Sequence, residues 1–296
     1  MQGFCIYFLL LCKNGAFYIN KYSVKRVRRA ALCIVRPFFV SLLRFYCILK
    51  NLFVMATTLI CEQEDPMGQA IYDYYKKGEA GRLRVFSSQF DEDEIPVKEL
   101  FRTYEQMPVV EQRALTLASG KILDVGAGSG CHSLELQKMG KDVQAIDISP
   151  LSVQVMEEQG LNARQVDFFN PEFVGGFDTI LMLMNGSGII GKLDNMENFF
   201  QRAKSLLNPG GMILMDSSDL RYLFEEEDGS FLVDLAAGYY GEIDFYMRYK
   251  QLKGKPFFWL YVDFDTLSMY AEMYGFKAEK VCEGEHYNYL AKLTLK

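Results

Sequence analysis

Three glycines at alternate positions, Gly126, Gly128 and Gly130, follow a short apolar run of Ile122, Leu123 and Val125. Without a Cβ the backbone there can take positive φ and a ligand can touch the main chain, and a helix starting just after it offers free N–H groups to an anion. Acids stand where such a ligand would need acceptors. Asp124 lies at the end of the apolar run, Asp147 lies 21 residues after Gly126, and Asp167 follows the segment LNARQV. An acid in the place of Asp147 can accept both hydroxyls of a ribose, a spacing shared by several nucleotide-binding folds.

The third glycine separates the cofactors that such a loop can cradle. A dinucleotide fingerprint, Gly-x-Gly-x-x-Gly, needs glycine at 131, where the chain has Cys131. The pattern present, Asp-x-Gly-x-Gly-x-Gly, resembles the first motif of the class I S-adenosylmethionine (SAM)-dependent methyltransferases. That resemblance implies SAM as cofactor. It implies that Gly126, Ala127, Gly128 and Gly130 wrap the methionine end, with Asp124 helping to hold its ammonium group. Asp147 and Ile148 would lie at the ribose, Asp167 at the adenine amino group and Phe168 against the adenine ring.

The same resemblance gives Asn185, in Asn185-Gly186-Ser187-Gly188, a place between methyl group and acceptor and a contact with the cofactor. The Asn/Asp-Pro-Pro-Tyr/Phe of the amino-methylating DNA enzymes is not there. A small molecule accepting on oxygen, nitrogen or carbon is therefore expected rather than a nucleobase. Alignment of the acceptor can supply about 7–11 kcal/mol of barrier reduction, so a missing obvious base is no objection to activity. His286, between the last two strands, is the candidate base. His132 reads as a residue of a helix N-terminus beside the cofactor. Phe101, Arg102 and Tyr104 fall within reach of the methionine end or simply pack a helix on the sheet edge.

These residues need a scaffold of alternating strands and helices. Lys141 to Ile148 and the continuous apolar run Phe177 to Met184 are of strand length, as expected for strands covered on both faces. Ser149-Pro150 caps and starts a helix that Gly160 closes. Met196, Phe199, Phe200, Ala203, Leu206 and Leu207 fall on one helix face. Asn208-Pro209-Gly210-Gly211 ends that helix, and a strand from Met212 stops at Asp216. The expected fold is α/β: a Rossmann-like, doubly wound, mostly parallel seven-stranded sheet with an antiparallel last strand. An N-terminal segment over residues 55–120 is expected to be mainly helical. A lid inserted over 220–264 carries an acidic patch, Glu225 to Asp228, and a β-hairpin from Glu242 to Val262. Tyr246, Trp259 and Tyr261 are its candidate rim residues for the acceptor. Asp265 is expected to cap the next helix, and Lys277 to Cys282 and Tyr287 to Leu295 are the closing strands.

Charge divides the 296 residues unevenly. The first 54 hold nine of the 32 basic residues and no acid, leaving 23 basic against 38 acidic residues, a net of −15, in the remainder. An acidic body is a poor surface for phosphate backbones, which disfavours nucleic acid as a partner and favours a small-molecule substrate. The leader is apolar and basic, but Arg36, Pro37, Arg44 and Lys50 break every stretch long enough to span a membrane. Two readings of it stand: a membrane-surface anchor, or a true start at Met55, which the abrupt change of composition there favours. Residues 55–296 are then a single methyltransferase domain with its SAM-binding core at 121–219. Cys61, Cys131 and Cys282, the three cysteines beyond the leader, suit a reducing cytoplasm, and two histidines 154 positions apart give zinc catalysis no support. A non-catalytic SAM-binding regulator and an NAD-dependent oxidoreductase are the rival readings.

Overall fold

The computed structural model describes residues 59–224, 238–285 and 287–296. The chain divides into two units after residue 56, and the elements below belong to the second. Helix α1 (Pro66–Lys77) opens on Asp65, whose carboxylate accepts the Gly68 N–H at 2.7 Å, and stops at Gly78 with φ of 76°. Two short strands follow, β1 (Leu83–Phe86) and β2 (Asp93–Ile95), paired antiparallel, so this segment, expected to be mainly helical, carries strands as well as helices. Their pattern is too short to show a period before a partner strand fixes it.

From α2 (Val109–Leu117) onward the chain alternates. It runs through β3 (Lys121–Val125), α3 (Cys131–Lys138), β4 (Asp142–Asp147), α4 (Pro150–Glu158), β5 (Ala163–Gln165), β6 (Phe177–Met182), α5 (Met196–Leu206) and β7 (Leu207–Ser218). Ser149 caps α4 through the Ser152 N–H, as its place before Pro150 requires. The five core residues expected on α5 are fully buried. Leu207, expected on that helix, instead opens β7, and the residues Asn208 to Gly211 are absorbed as an irregularity between the pairs Phe177–Leu207 and Thr179–Met212.

The chain continues through β8 (Glu242–Tyr249), β9 (Leu252–Lys253), β10 (Phe257–Leu260), α6 (Phe264–Met273), β11 (Phe276–Glu283) and β12 (Asn288–Leu295). Asp263, not Asp265, caps α6: its backbone is extended and its carboxylate accepts the Thr266 N–H at 2.9 Å. The main sheet has the order β11-β12-β7-β6-β3-β4-β5, parallel from β5 to β7, with β12 antiparallel to both its neighbours. Strand order reverses between β3 and its two neighbours, β4 and β6. Ligand crevices in open α/β sheets lie outside the carboxyl ends at such a point.

A second, antiparallel sheet has the order β10-β8-β1-β2, with β9 beside β8. The expected hairpin is present as β8 and β10, and it is joined by strands from the N-terminal segment. The acidic patch Glu225 to Asp228 lies outside the described residues. No helix among the described residues is long and apolar enough to cross a membrane.

Candidate active site

The glycine loop leaves β3 at the reversal point. Gly126, Gly128 and Gly130 have φ of 69°, 57° and 83°, a region side chains with a Cβ rarely adopt. A Cβ on Gly130 would lie 2.6 Å from Leu161, so that glycine is required by packing. A Cβ on Gly128 would meet nothing closer than 4.0 Å. Gly128 therefore turns bare backbone to open space, where a ligand can approach it. The N–H groups of Gly126 and Ala127 are spent on the Ile146 carbonyl.

Asp147, at the end of β4, meets this loop. Its carboxylate accepts the Gly128 N–H at 2.8 Å and the Ser149 N–H at 2.8 Å, and it stays half-buried. Each oxygen keeps a further lone pair for a ligand hydroxyl. Burial pushes this carboxyl up to about 6, against the two N–H bonds and with some help from nearby Asp65. Ile148 is half-exposed beside it, its carbonyl accepting from Ile60 N and Gln165 Nε2.

Asp124 is buried and takes the Ser133 hydroxyl at 2.7 Å. Burial raises its pKa, partly offset by His132 and Ser133. His132 is itself buried in the first turn of α3 and lies 2.9 Å from Glu111, whose two oxygens also receive Arg102 at 2.7 and 2.9 Å. Burial opposes charge on the imidazole. Cys131, Glu111 and Asp124 outweigh it and hold its pKa well above the usual histidine range. The segment before Arg102 is fastened to the glycine loop through a hydrogen bond from the Ser129 hydroxyl to the Leu100 carbonyl. Phe101 packs on Tyr74 instead, and Tyr104 points its hydroxyl at Thr116.

Asp167 is half-buried and accepts the Phe169 N–H at 2.9 Å, forming a turn after β5. Phe168 does not fit the role expected of it. Its ring is buried in the core against Phe199 at 5.7 Å, and the half-buried neighbour Phe169 meets it edge-on. Both lie in the turn after β5, where the core takes the Phe168 ring and Phe169 packs against its margin.

Beyond β6 two successive non-glycine residues, Met184 and Asn185, have φ of 65° and 56°. Such strain persists only where the surroundings hold it, and here Asp216 does so. Its buried carboxylate accepts the Asn185 and Gly186 N–H groups, each at 3.0 Å, while Ser218 donates to Asn185 Oδ1 at 2.8 Å. Burial pushes Asp216 up to about 6, with the two N–H bonds working against it and Glu111 for it. Asp216 was visible in the sequence as an acid ending a strand; Glu111, on α2, was not marked out by any spacing.

The second sheet covers this turn through Trp259, whose indole leaves no room for a Cβ on Gly188, which would sit 1.9 Å from it. The Tyr261 ring lies 6.5 Å from Phe245. Tyr246 is not a rim residue: it stacks on Phe86 at 4.8 Å on the opposite face of the sheet. His286 lies outside the described residues.

The residues present fit SAM. Gly128 offers open backbone, Asp147 offers unused lone pairs at the ribose distance in sequence, and Arg102 Nε is buried with no hydrogen-bond partner among the described residues. A family model for the methyltransferase domain matches residues 122–211. A SAM-dependent methyltransferase from Bacteroides fragilis, solved in complex with S-adenosyl-L-homocysteine, is 64% identical with a TM-score of 0.77, and the match covers 81% of this chain and 99% of that one. A ubiquinone biosynthesis O-methyltransferase from Xanthomonas euvesicatoria is 30% identical over 111 residues, 35% of this chain and 45% of that protein. A demethylmenaquinone methyltransferase from Tropheryma whipplei is 30% identical over 103 residues, 33% of this chain and 41% of that protein. The chain thus spans less than half the length of these two curated relatives. It belongs to the class I SAM-dependent methyltransferases.

Proposed function

We propose that this chain transfers a methyl group from SAM to a small-molecule acceptor held between the Asn185 turn and the second sheet. The observation that carries the reading is the bond from Gly128 N–H to Asp147 in a loop whose Gly128 faces open space. When bound, SAM supplies a methyl group on a positively charged sulfur, so that an acceptor lone pair can form the new bond while the carbon–sulfur pair returns to sulfur.

The chain's part is to bind, orient and exclude water. Asp147 takes the ribose hydroxyls and Asp167 faces the base end. Arg102 Nε offers a donor to the carboxylate at the methionine end, with Glu111 fixing the guanidinium from the other side. Asn185, held by Asp216 and Ser218, orders the boundary between cofactor and acceptor. His286 is the proposed base. The thiols of Cys61, Cys131 and Cys282 are free, and a reducing cytoplasm suits them.

The test is calorimetry with SAM and NADH, followed by single-turnover transfer from labelled SAM into a metabolite mixture. SAM is expected to bind in the micromolar range, about −8 kcal/mol, without competition from NADH. Tight NADH binding would sink the cofactor reading, and tight SAM binding without transfer to any metabolite would favour a regulator.

A further inference from the structure

On the footing of that reading, we propose that the acceptor is a planar aromatic ring without an anionic group, taken up by stacking on a run of aromatic side chains between the two sheets. Partners in an antiparallel pair share a face. On one face of the second sheet stand the pairs Val85–Met247, Phe245–Phe257 and Ile243–Trp259, with the exposed Asp93 paired to Val85 at its edge; on the other stand Arg84–Arg248 and Phe86–Tyr246. Lys253 pairs with Arg248 and so joins the second face. The cations of this sheet are thus segregated to one side, away from Trp259 and the Gly188 turn.

The apolar face is sealed at its margins, where Leu83, Tyr249 and Ile243 are fully buried, but Val85, Phe245, Met247 and Trp259 at its centre are only half-buried. Met247 and Met184 pack on the same apolar cluster, which brings this face to the strained turn before Asn185. From Phe245 the rings continue. Tyr261 meets Phe245 at 73° between planes, the Tyr222 phenol and the Asp93 carboxylate are electrostatic neighbours of Tyr261, and Tyr222 stacks on Tyr287 at 4.9 Å and 8°.

Tyr287 has φ of 60°, a conformation a bulky aromatic residue rarely takes. Its carbonyl is tied to the N–H of Asp219, the residue after Ser218, so its place is fixed relative to the Asn185 turn. Arg221, next to Tyr222, is committed to Asp219 at 2.6 Å. An anionic acceptor would lose its hydration against this face and find no cation on it, Asp93 being the charge it carries, whereas an aromatic ring gains offset or edge contacts with each neighbour.

Trp259 is the single tryptophan of the chain, so its emission reports on this wall. The experiment titrates the full chain, saturated with S-adenosylhomocysteine, with catechol and in parallel with glucosamine, exciting the indole selectively. Catechol is expected to give a saturable change and glucosamine none. Tyr222→Ala and Phe245→Ala are each expected to weaken catechol at least tenfold with S-adenosylhomocysteine affinity within twofold, and Tyr246→Ala, on the opposite face, to leave both unchanged. Tyr222 is partly exposed, so its variant tests the proposal even if Phe245→Ala fails to fold. No saturable response to catechol, an equal response to glucosamine, or undiminished catechol binding in Tyr222→Ala overturns the proposal. Failure of the unaltered chain to bind S-adenosylhomocysteine in calorimetry overturns the underlying cofactor reading as well, and is scored separately from the catechol signal.

Discussion

Asp147 has two jobs that pull in opposite directions. It clamps the Gly128 and Ser149 N–H groups, which favours the carboxylate, and it sits where burial favours the acid, with the net result near 6. A carboxyl raised in the folded state contributes stability that is fully present below its unfolded value near 4 and is lost as pH rises through about 6. Ribose hydroxyls need the ionised form as acceptor, so SAM affinity runs the other way. It is expected to be flat above about pH 7 and to fall by up to about tenfold per unit as pH drops through 6. Asp147→Asn keeps one acceptor but turns an amide N–H2 towards a backbone donor, and should weaken SAM by about 2–4 kcal/mol and flatten that pH dependence. Calorimetry across pH 5 to 8 decides; a variant with unaltered affinity would remove Asp147 from the site. The positions of the proposed site acids at 124 and 147 were legible because strand ends and spacing fix where they emerge. Phe168 was harder to place because it lies in the turn after β5, where no strand period fixes which of two adjacent rings the core takes.

The second sheet is an element that the chain assembles from afar. Leu83 pairs with Tyr249 across more than 160 residues, and no local pattern in LRVF announces a partner so distant. The strands of the main sheet were legible for the opposite reason: buried on both faces, they are written as unbroken apolar runs between turn residues. What fastens the second sheet to α1 is Asp73. Its buried carboxylate receives the Tyr249 hydroxyl at 2.8 Å, Lys77 at 2.7 Å and the Lys250 ammonium. Burial alone would raise its pKa; Lys250, Lys77 and Tyr249 override that and hold it at about 2. A depressed carboxyl contributes stability above its unfolded pKa and loses it as pH falls through the folded value. Asp73→Asn is therefore expected to cost about 1–3 kcal/mol at pH 7, leaving the buried Tyr249 hydroxyl poorly partnered. Denaturant titrations of both proteins should show that gap closing between pH 4 and pH 2, and a gap independent of pH would assign the loss to packing instead.

Across the whole molecule, the sequence carried the cofactor further than the acceptor. The loop and acids proposed to hold the sulfonium nucleoside lie within about 50 residues of one another, so spacing alone brings them to notice. The proposed acceptor wall draws on Tyr222, Phe245, Tyr261 and Tyr287, which share no motif and meet only after two sheets have closed over Gly188. The seven-stranded sheet and every candidate cofactor residue fall after Met55. The Bacteroides fragilis methyltransferase is matched over 99% of its length by 81% of this chain, which shows how much of such a chain a comparable fold requires. A protein beginning at Met55 is therefore expected to be monodisperse, to unfold cooperatively, and to bind SAM within about twofold of the full chain. Size-exclusion chromatography with calorimetry on the two proteins tests this. Loss of folding or of SAM binding on removing residues 1–54 would make the leader a structural part of the enzyme. Mass spectrometry of the native protein addresses the start independently, because any peptide from residues 1–54 would refute initiation at Met55.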